Sequence, residues 1–221
     1  MSRKLVIFGI GDVGELAHYY FRAGPDYEPV AFTVDAEHAT RAAWHGLPVV
    51  PFEEARTRFD PADHDLFIAI GYTHLNQARK EKYLAARALG YRLASYVSPH
   101  ATLLNDGRIG DNCLVLEDNT IQPYATIGNN VTLWSGNHIG HHSTIGDHCF
   151  VTSHVVISGG VTVGECCFLG VNATLRDRIT VGERCVVGAG ALLLADAEPG
   201  GVYAGHATER SRVPSTRLRK L

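Results

Sequence analysis

The stretch TIGNNVTLWSGNHIGHHSTIG, residues 126–146, carries an aliphatic side chain at every sixth position. The same spacing runs without a break from Val97 to Leu193. A period of six residues fits neither an α-helix nor a simple alternating strand, and it is typical of a parallel β-solenoid built from hexapeptides. Three hexapeptides make one triangular coil, so residues eighteen apart stack about 4.8 Å from one another. We therefore predict a left-handed parallel β-helix over residues 97–198.

Stacked positions repeat their residue types from coil to coil. A glycine follows the aliphatic residue at Ile109 and at every eighteenth residue from there, as far as Gly182. We expect one corner of the coil here, with backbone angles that favour glycine. The fourth place after each aliphatic residue is usually small and should point inward. Four of the five cysteines occupy such places and are predicted to be buried free thiols, with Cys166 pointing outward: Cys113, Cys149, Cys167 and Cys185.

Composition restricts the choice of function. The 221 residues carry a net charge of −3, and Lys and Arg are scattered except in a tail predicted for residues 199–221. We therefore expect no nucleic-acid partner. The first strand begins near Lys4, and no apolar run approaches the roughly 20 residues that cross a bilayer. We expect no membrane association and a cytoplasmic location with reduced thiols. The basic residues of the tail are Arg210, Arg212, Arg217, Arg219 and Lys220.

Residues 1–96 follow the pattern of a small α/β domain. Buried strands are predicted at 4–9, 29–35 and 65–71, a last strand at 91–97, and helices at 12–22 and 75–89. This order predicts a Rossmann-like sheet. The fold class is therefore mixed, with a Rossmann-like N-terminal domain followed by the β-helix.

The first turn of this domain, residues 9–14, has the pattern GxGxxG. Such a turn lets a phosphate approach backbone amides at a helix N-terminus, and a carboxylate closing the second strand can bind a ribose hydroxyl. Three to four strands suit a nucleoside diphosphate better than a dinucleotide. Four further residues follow the third strand at the carboxyl edge, where ligands of such sheets bind, and of these Arg79 is the candidate to face a phosphate: Tyr72, Asn76, Arg79 and Lys82. The alternatives are a glycine turn kept for packing and, for Arg79, a solvated helix face. The predicted substrate contacts are Gly9, Gly11, Asp12, Asp35 and Arg79.

Histidines cluster in the β-helix, and stacking separates them. His141 and His142 share one corner, and the coil above them presents only glycines, at 159–160, which should leave an open slot. His148 and His154 should have less free space. An imidazole, whose unperturbed pKa is about 6.5, can act as a general base. The alternative is a pair of solvated corner histidines, and the residues alone leave this open.

Taken together, the chain resembles the hexapeptide acyltransferases that carry an N-terminal nucleotide-binding domain, namely the sialic-acid O-acetyltransferase, bacillosamine-pathway and perosamine N-acetyltransferase family. The resemblance covers essentially the whole chain. It rests on the uninterrupted hexapeptides and on four segments: GIGDVG (9–14), SGNHIGHHSTIG (135–146), FLGVNATL (168–175) and VYAGHATER (202–210). It implies an acetyl-CoA-dependent sugar acetyltransferase of surface-polysaccharide biosynthesis.

The family's catalytic base, the histidine of an H-(E/D)-x-x-I-G segment, maps onto His141. The resemblance also implies a homotrimer, acetyl-CoA in the groove between neighbouring solenoids, and a nucleotide-linked sugar reaching in from the small domain. We expect N-acetylation of an amino sugar without an acyl-enzyme or a metal, with O-acetylation as the alternative. The implied CoA contacts are Phe150, Gly170, Val171, Gly188, Ala189 and Gly205.

Two positions depart from the family pattern. The acidic residue that commonly follows the catalytic histidine is His142 here, and it is kept as a second catalytic candidate. Asp118, Asp147 or a main-chain carbonyl are alternatives for the group that polarises the base. The closing GxPA motif reads GHAT at residues 205–208, which puts side-chain contacts to pantetheine in question.

Three other functions compete with this interpretation. A γ-type carbonic anhydrase shares the solenoid, but its zinc site needs two histidines five positions apart, a spacing that the histidine cluster lacks. A nicotinamide-dependent oxidoreductase, suggested by the glycine turn, leaves the solenoid without a role. A purely structural assembly module does not explain histidines opposite glycines.

Overall fold

The N-terminal part of the chain is an α/β domain in a computed structural model, which describes residues 2–210 and 212–217. Arg219 and Lys220 of the basic tail lie outside the described residues. The elements are β1 (Arg3–Phe8), α1 (Asp12–Ala23), β2 (Tyr27–Val34), β3 (Ala43–Trp44), β4 (Leu47–Pro51), α2 (Phe52–Arg58), β5 (His64–Ile68) and α3 (Gln77–Ala88). The predicted elements between residues 4 and 35 and the strand near 65 are confirmed, whereas the sequence pattern did not predict β3, β4 and α2.

The sheet of this domain has the order β3-β4-β2-β1-β5, and each pairing is parallel except that of β3 with β4. The four parallel strands thus lie in the order third, second, first, fourth, as in the first half of a doubly wound sheet. Leu66, Phe67 and Ile68 of β5 are all buried, as expected for a sheet covered on both faces. The carboxyl ends of β1, β2 and β5 meet at one edge, where such sheets bind ligands.

Residues 96–203 form a solenoid of two-residue parallel strands arranged in three sheets, here named faces 1, 2 and 3. The strands pair eighteen residues apart, as Ile127 does with Ile145. Face 1 contains β6 (Tyr96–Val97), β8 (Leu114–Val115), β11 (Thr132–Leu133), β14 (Phe150–Val151), β17 (Phe168–Leu169), β20 (Val186–Val187) and β22 (Val202–Tyr203). Face 2 contains β7 (Thr102–Leu103), β9 (Thr120–Ile121), β12 (His138–Ile139), β15 (Val156–Ile157), β18 (Thr174–Leu175) and β21 (Leu192–Leu193). Face 3 contains β10 (Thr126–Ile127), β13 (Thr144–Ile145), β16 (Thr162–Val163) and β19 (Thr180–Val181).

The core of the solenoid is built from the predicted inward residues. The aliphatic positions from Val115 to Leu193 are buried, and so are the four cysteines of the inward places. Burial raises the pKa of the Cys113 thiol to about 12. Cys166 lies outside this core, yet it is buried as well, because Gln77 of the small domain contacts its sulfur at 3.6 Å.

The repeated glycine has a different reason from the predicted one. Gly128 does not have a positive φ, but a Cβ there would lie 2.8 Å from the backbone N of Asp147 in the next coil. Glycine is needed because successive coils approach closely, not because of unusual backbone angles. The left-handed residues come two positions later, as at Asn130 (φ 55°) and His148 (φ 63°).

The solenoid extends beyond its predicted limits. Of the predicted strand at 91–97, Tyr96 joins face 1, and Leu93 forms only an isolated bridge with Leu66. At the other end β22 pairs with β20, so the last coil reaches Tyr203. The predicted end at residue 198 is therefore one strand too early.

The small domain packs on face 1 and on the corner between faces 3 and 1. This covered corner comprises residues 111–112, 129–130, 147–148 and 165–166. Its Asn112 accepts a hydrogen bond from the backbone N–H of Ile68 at 2.8 Å, and Lys80 pairs with Glu165 at 3.0 Å. The open corner, between faces 2 and 3 and opposite face 1, comprises residues 123–124, 141–142 and 159–160.

Candidate active site

Two adjacent histidines, His141 and His142, are exposed at the open corner beside Pro123 and Tyr124. The backbone N–H of His141 donates to Oε1 of Gln122 at 2.9 Å, and the Nδ1 atoms of His141 and His142 lie 3.1 Å apart. One ring therefore donates to the other, and Nε2 of His141 stays available. His142 has a left-handed backbone (φ 58°) and packs on Tyr124 with ring centroids 4.7 Å apart. This contact of Gln122 was not predicted, because residues eighteen apart stack and Gln122 is nineteen residues before His141.

The two glycines of this corner differ in their roles. A Cβ at Gly159 would lie 2.6 Å from Cε1 and 2.7 Å from Nε2 of His141, so the imidazole lies directly over this glycine. The predicted slot is therefore occupied by the ring itself. A Cβ at Gly160 would meet only Arg178, with 3.4 Å to Cγ. The space that stays open at this corner lies over Gly160.

A glycine neighbour alone does not distinguish His141 from the other histidines. His154 likewise rests against Gly136, where a Cβ would collide with its ring, so it has more room than the stacking rule predicted. His148 is buried at the covered corner with its Nδ1 2.9 Å from Nδ2 of Asn130. Burial lowers the pKa of His148. What distinguishes His141 is an exposed ring whose Nδ1 is engaged by a second imidazole.

Five of the six predicted CoA contacts share the corner between faces 1 and 2, named here the glycine corner: Gly170, Val171, Gly188, Ala189 and Gly205. A Cβ at Gly170 would lie 2.5 Å from the backbone N of Ala189, and one at Gly188 would lie 2.9 Å from that of Gly205. The surface of this corner is therefore mostly main chain. Such a surface lets an extended ligand lie close to the backbone.

The structure places Phe150 away from the other predicted CoA contacts. Phe150 lies on face 1 under the small domain and is only 2% exposed. The ring of Tyr72 lies 5.1 Å away, and the guanidinium of Arg79 lies 5.4 Å from the centroid of the phenylalanine ring. Phe150 thus belongs to the interface between the domains.

The structure places the guanidinium of Arg79 against main-chain carbonyls and not among the other predicted nucleotide contacts. Its guanidinium donates to the carbonyl oxygens of Gly71 at 3.0 Å, His148 at 2.9 Å and Cys149 at 3.1 Å. The residue is 2% exposed, and burial lowers the pKa of the guanidinium to about 10. Arg79 therefore joins α3 to the covered corner.

The other predicted nucleotide contacts come together. A cavity of about 710 Å³ at the carboxyl edge of the small sheet is lined by Gly9, Gly11, Asp12 and Asp35. Lys82 also lines it and forms an ion pair with Asp35. The sequence placed Lys82 at this edge of the sheet but assigned the phosphate contact to Arg79.

The glycines of the first turn are not equivalent. Gly9 has φ 118°, and a Cβ there would lie 2.6 Å from the carbonyl oxygen of Ala69. A Cβ at Gly14 would collide with the carbonyl of Gly9. A Cβ at Gly11 would meet nothing within 4 Å. Packing therefore requires Gly9 and Gly14 but not Gly11, which borders the cavity.

Within residues 2–210 and 212–217, no group of three or more His, Cys, Asp and Glu side chains is arranged to hold a metal ion. No helix in that part of the chain is long and apolar enough to cross a bilayer.

Comparison with known proteins agrees with this geometry. The model for the bacterial transferase hexapeptide family (six repeats) matches residues 124–159 and 160–195. PerB from Caulobacter crescentus, solved with CoA and GDP-perosamine, is 28% identical with a TM-score of 0.80, covering 91% of this chain and 94% of that chain. The acetyltransferase domain of PglB from Neisseria gonorrhoeae FA1090, solved with acetyl coenzyme A, is 25% identical with a TM-score of 0.81, covering 93% and 97%. WeeI from Acinetobacter baumannii AYE, 18% identical with a TM-score of 0.77 over 92% and 97%, shows the shared fold alone. No curated protein matches the sequence.

The repeats and these structures define the chain as a hexapeptide-repeat acyltransferase, whose solenoid fits the left-handed β-helix of that class. It is an acetyl-CoA-dependent sugar acetyltransferase, and it is similar to the sialic-acid O-acetyltransferase, bacillosamine-pathway and perosamine N-acetyltransferase family, as the sequence resemblance implied. The prediction of acetyl-CoA as co-substrate is confirmed. This assignment takes the place of the carbonic-anhydrase, oxidoreductase and assembly-module alternatives.

Proposed function

We propose that the protein transfers the acetyl group of acetyl-CoA to the amino group of a nucleotide-linked amino sugar, with His141 as general base. The observation that carries this proposal is the imidazole pair of the open corner, in which an exposed ring is oriented by its neighbour. Perosamine N-acetyltransferase was solved with CoA and GDP-perosamine, which supports the same substrate classes for this chain.

In the proposed reaction the amine nitrogen attacks the thioester carbonyl carbon, and the carbon–sulfur bond breaks. Nε2 of His141 takes the amine proton as the amide forms and passes it to the CoA thiolate, so the products are an N-acetyl sugar and a free thiol. This role requires the proton of the His141 ring to sit on Nδ1. Nδ1 of His142, 3.1 Å away, accepts that proton in a hydrogen bond and so selects the tautomer.

Direct transfer is proposed instead of a route through an acyl-enzyme. A cysteine nucleophile needs an accessible thiolate. All five thiols are buried, and burial raises the pKa of Cys113 and Cys166. These surroundings support a single displacement at the thioester.

The nucleotide is proposed to bind in the cavity at the edge of the small sheet. Packing does not require a glycine at position 11. We propose that a glycine is present there because it lets a phosphate approach the N-terminus of α1 closely. The Asp35 carboxylate is the proposed acceptor for a ribose hydroxyl. Lys82, which already pairs with Asp35, supplies positive charge toward the diphosphate.

A homotrimer is part of the proposal, because one chain does not complete the site. The open corner and the glycine corner lie at opposite ends of face 2, and one hexapeptide spans up to about 20 Å. A thioester bound along the glycine corner of one subunit therefore needs the histidine of a neighbour. Face 2 also carries exposed apolar side chains suited to such a contact: Leu104, Val156, Leu192 and Leu194.

The reaction is tested with acetyl-CoA and a panel of GDP-, UDP-, dTDP- and CMP-linked amino sugars, each beside its hydroxyl analogue. Release of free thiol reports transfer, and mass spectrometry identifies the product. N-acetylation predicts a product that resists hydroxylamine, whereas an O-acetyl ester would be cleaved and would favour the alternative. No thiol release with any member of the panel would contradict the proposal.

The shared site is tested by mixing subunits. Light scattering should give the mass of a trimer. Trimers of His141→Asn alone or of Ala189→Trp alone, the latter at an exposed position of the glycine corner, should be inactive. Co-expressed mixed trimers should regain activity, because some interfaces then pair an intact histidine with an intact glycine corner. Mixed trimers that stay inactive would contradict a site shared between subunits.

A further inference from the structure

We infer that Tyr72 determines specificity for the acceptor, with its ring as a stacking surface for the sugar of the nucleotide-linked substrate. This inference rests on the proposed function and gives a role to a residue that the sequence placed only at the edge of the sheet. Tyr72 opens a five-residue turn, residues 72–76, that leads into α3. The backbone, the packing and the position of this turn each support the inference.

The backbone of the turn is unusual. His74 (φ 50°), Leu75 (φ 51°) and Asn76 (φ 67°) are three successive non-glycine residues in the left-handed region. Residues other than glycine and asparagine rarely adopt this backbone conformation, and backbone strain of this kind is concentrated at ligand sites. The sequence pattern predicted that α3 begins at residue 75. It begins at Gln77 because the residues before it have left-handed backbone angles, which an α-helix does not allow.

The solenoid holds the turn in this conformation. Asn76 is fully buried, and its Nδ2 donates to the carbonyl oxygens of Cys166 at 3.2 Å and Cys167 at 3.1 Å. Its backbone N–H donates to the carbonyl of Tyr72, also at 3.2 Å. The turn is therefore anchored at its end, and this anchor fixes the direction of Tyr72 at its start.

Tyr72 is packed on one side and free on the other. Its ring centroid lies 5.1 Å from that of Phe150 and 4.8 Å from that of Phe168, yet 56% of the residue is exposed. A tyrosine combines an apolar ring with a polar tip. This combination suits a pyranose, whose faces carry C–H groups and whose rim carries hydroxyls.

The position of Tyr72 connects the two proposed substrate sites. Its neighbours in the chain, Gly71 and Thr73, both line the nucleotide cavity. Phe168, on which its ring rests, is two residues before Gly170 of the glycine corner. A sugar attached to a diphosphate in the cavity therefore passes Tyr72 on its way toward a thioester at the glycine corner.

The inference is tested by calorimetric titration with GDP-perosamine and a UDP-linked amino sugar, beside GDP, UDP and acetyl-CoA. Tyr72→Leu keeps an apolar cover over the two phenylalanines but removes the ring, and Tyr72→Phe removes only the hydroxyl. Tyr19→Leu, at another exposed tyrosine, is the matched control. For Tyr72→Leu we expect roughly tenfold weaker binding of the nucleotide sugar, with unchanged affinity for nucleoside diphosphate and acetyl-CoA and an unchanged Tm. Tyr72→Phe should lose less, and Tyr19→Leu nothing.

Two results would overturn the inference. An equal loss for nucleotide sugar and nucleoside diphosphate would assign Tyr72 to the nucleotide, and unchanged affinity for both would leave it as a cover of the domain interface. Because the titration measures binding, it does not depend on turnover. If the wild-type protein binds these nucleotide sugars more tightly than the Tyr72 variants do but transfers no acetyl group, the proposed function is contradicted and the role of Tyr72 in binding is not.

Discussion

Two corners of one solenoid carry histidines of opposite character. His142 at the open corner and His148 at the covered corner have nearly the same backbone, with φ of 58° and 63°. His142 is exposed and its Nδ1 faces that of His141, whereas His148 is buried and its Nδ1 faces Asn130. The repeat therefore determines where a side chain stands, whereas its burial and its hydrogen-bond partners determine its chemistry.

The covered corner should respond most strongly to loss of Arg79. Arg79→Met keeps an apolar chain but leaves the carbonyls that accept from the guanidinium without their donor. Hydrogen bonds from charged groups contribute about 1.5–3 kcal/mol each, partly offset by relief from burying the charge, so we expect a loss of roughly 3 kcal/mol in unfolding free energy. Chemical denaturation measures it. Lys80→Met, which removes a partly exposed ion pair of the same helix, is the control and should cost less than about 1 kcal/mol. Equal losses would contradict the special role of Arg79.

At the open corner, Gly159→Ala should displace the His141 ring, since the new Cβ would lie 2.6 Å from Cε1. Misplacing a catalytic group by about 1 Å can cost up to 10²-fold, and we expect a 10- to 100-fold lower kcat. Steady-state kinetics with thiol detection measures it. In a His141→Asn background the same substitution should cause no further loss, because the ring it displaces is gone. An additional loss there would mean that Gly159 acts by another route.

His142→Phe tests the orienting role of the second imidazole. Phenylalanine keeps a ring to pack on Tyr124 but has no acceptor for Nδ1 of His141, so we expect about tenfold lower kcat with unchanged KM values. His142→Asp should restore activity, because a carboxylate accepts the same hydrogen bond. Full activity of the Phe variant would mean that His142 is an exposed residue without a role in orienting His141.

The smallest effect concerns the pH dependence of stability at the covered corner. Burial lowers the pKa of His148 in the folded protein, so below about pH 6.5 the unfolded chain binds a proton that the folded chain refuses. Unfolding free energy should therefore fall as the pH decreases from that value toward the folded pKa. His148→Asn keeps a residue suited to left-handed backbone and should make this fall shallower. Denaturation between about pH 7 and pH 5.5 checks the slope. Burial of His18 lowers its pKa too, so some slope should remain. An unchanged slope in the variant would contradict this account of His148.

Most of the solenoid could be predicted from the sequence, because each position finds the same surroundings eighteen residues later. The inward cysteines and the corner of His141 follow from that spacing alone. The reason for the glycine at Gly128 did not follow, since a period gives the order of the coils and not how closely their backbones approach. The contact of the His141 ring with Gly159 was not predicted for a similar reason, because stacking gives the position of a residue but not the orientation of its side chain.

The predicted contacts that the structure places away from their companions are residues between the domains. Phe150 and Arg79 are buried because α3 and face 1 meet, and the Arg79 contacts join residues about 70 positions apart. No local pattern contains such a contact. Tyr72 was placed at the carboxyl edge from the sequence, but no role followed, since the role proposed for it depends on a strained turn held by carbonyls of the solenoid.

One substitution made at both corners tests the central claim most directly. His141→Asn and His148→Asn are compared with wild type for kcat/KM of acetyl transfer under identical conditions. We predict a loss of roughly 10²-fold or more for His141→Asn without a change in Tm, and activity within about twofold of wild type for His148→Asn. Near wild-type turnover of His141→Asn, or an equal loss in both variants, would contradict the assignment of the chemistry to the open corner.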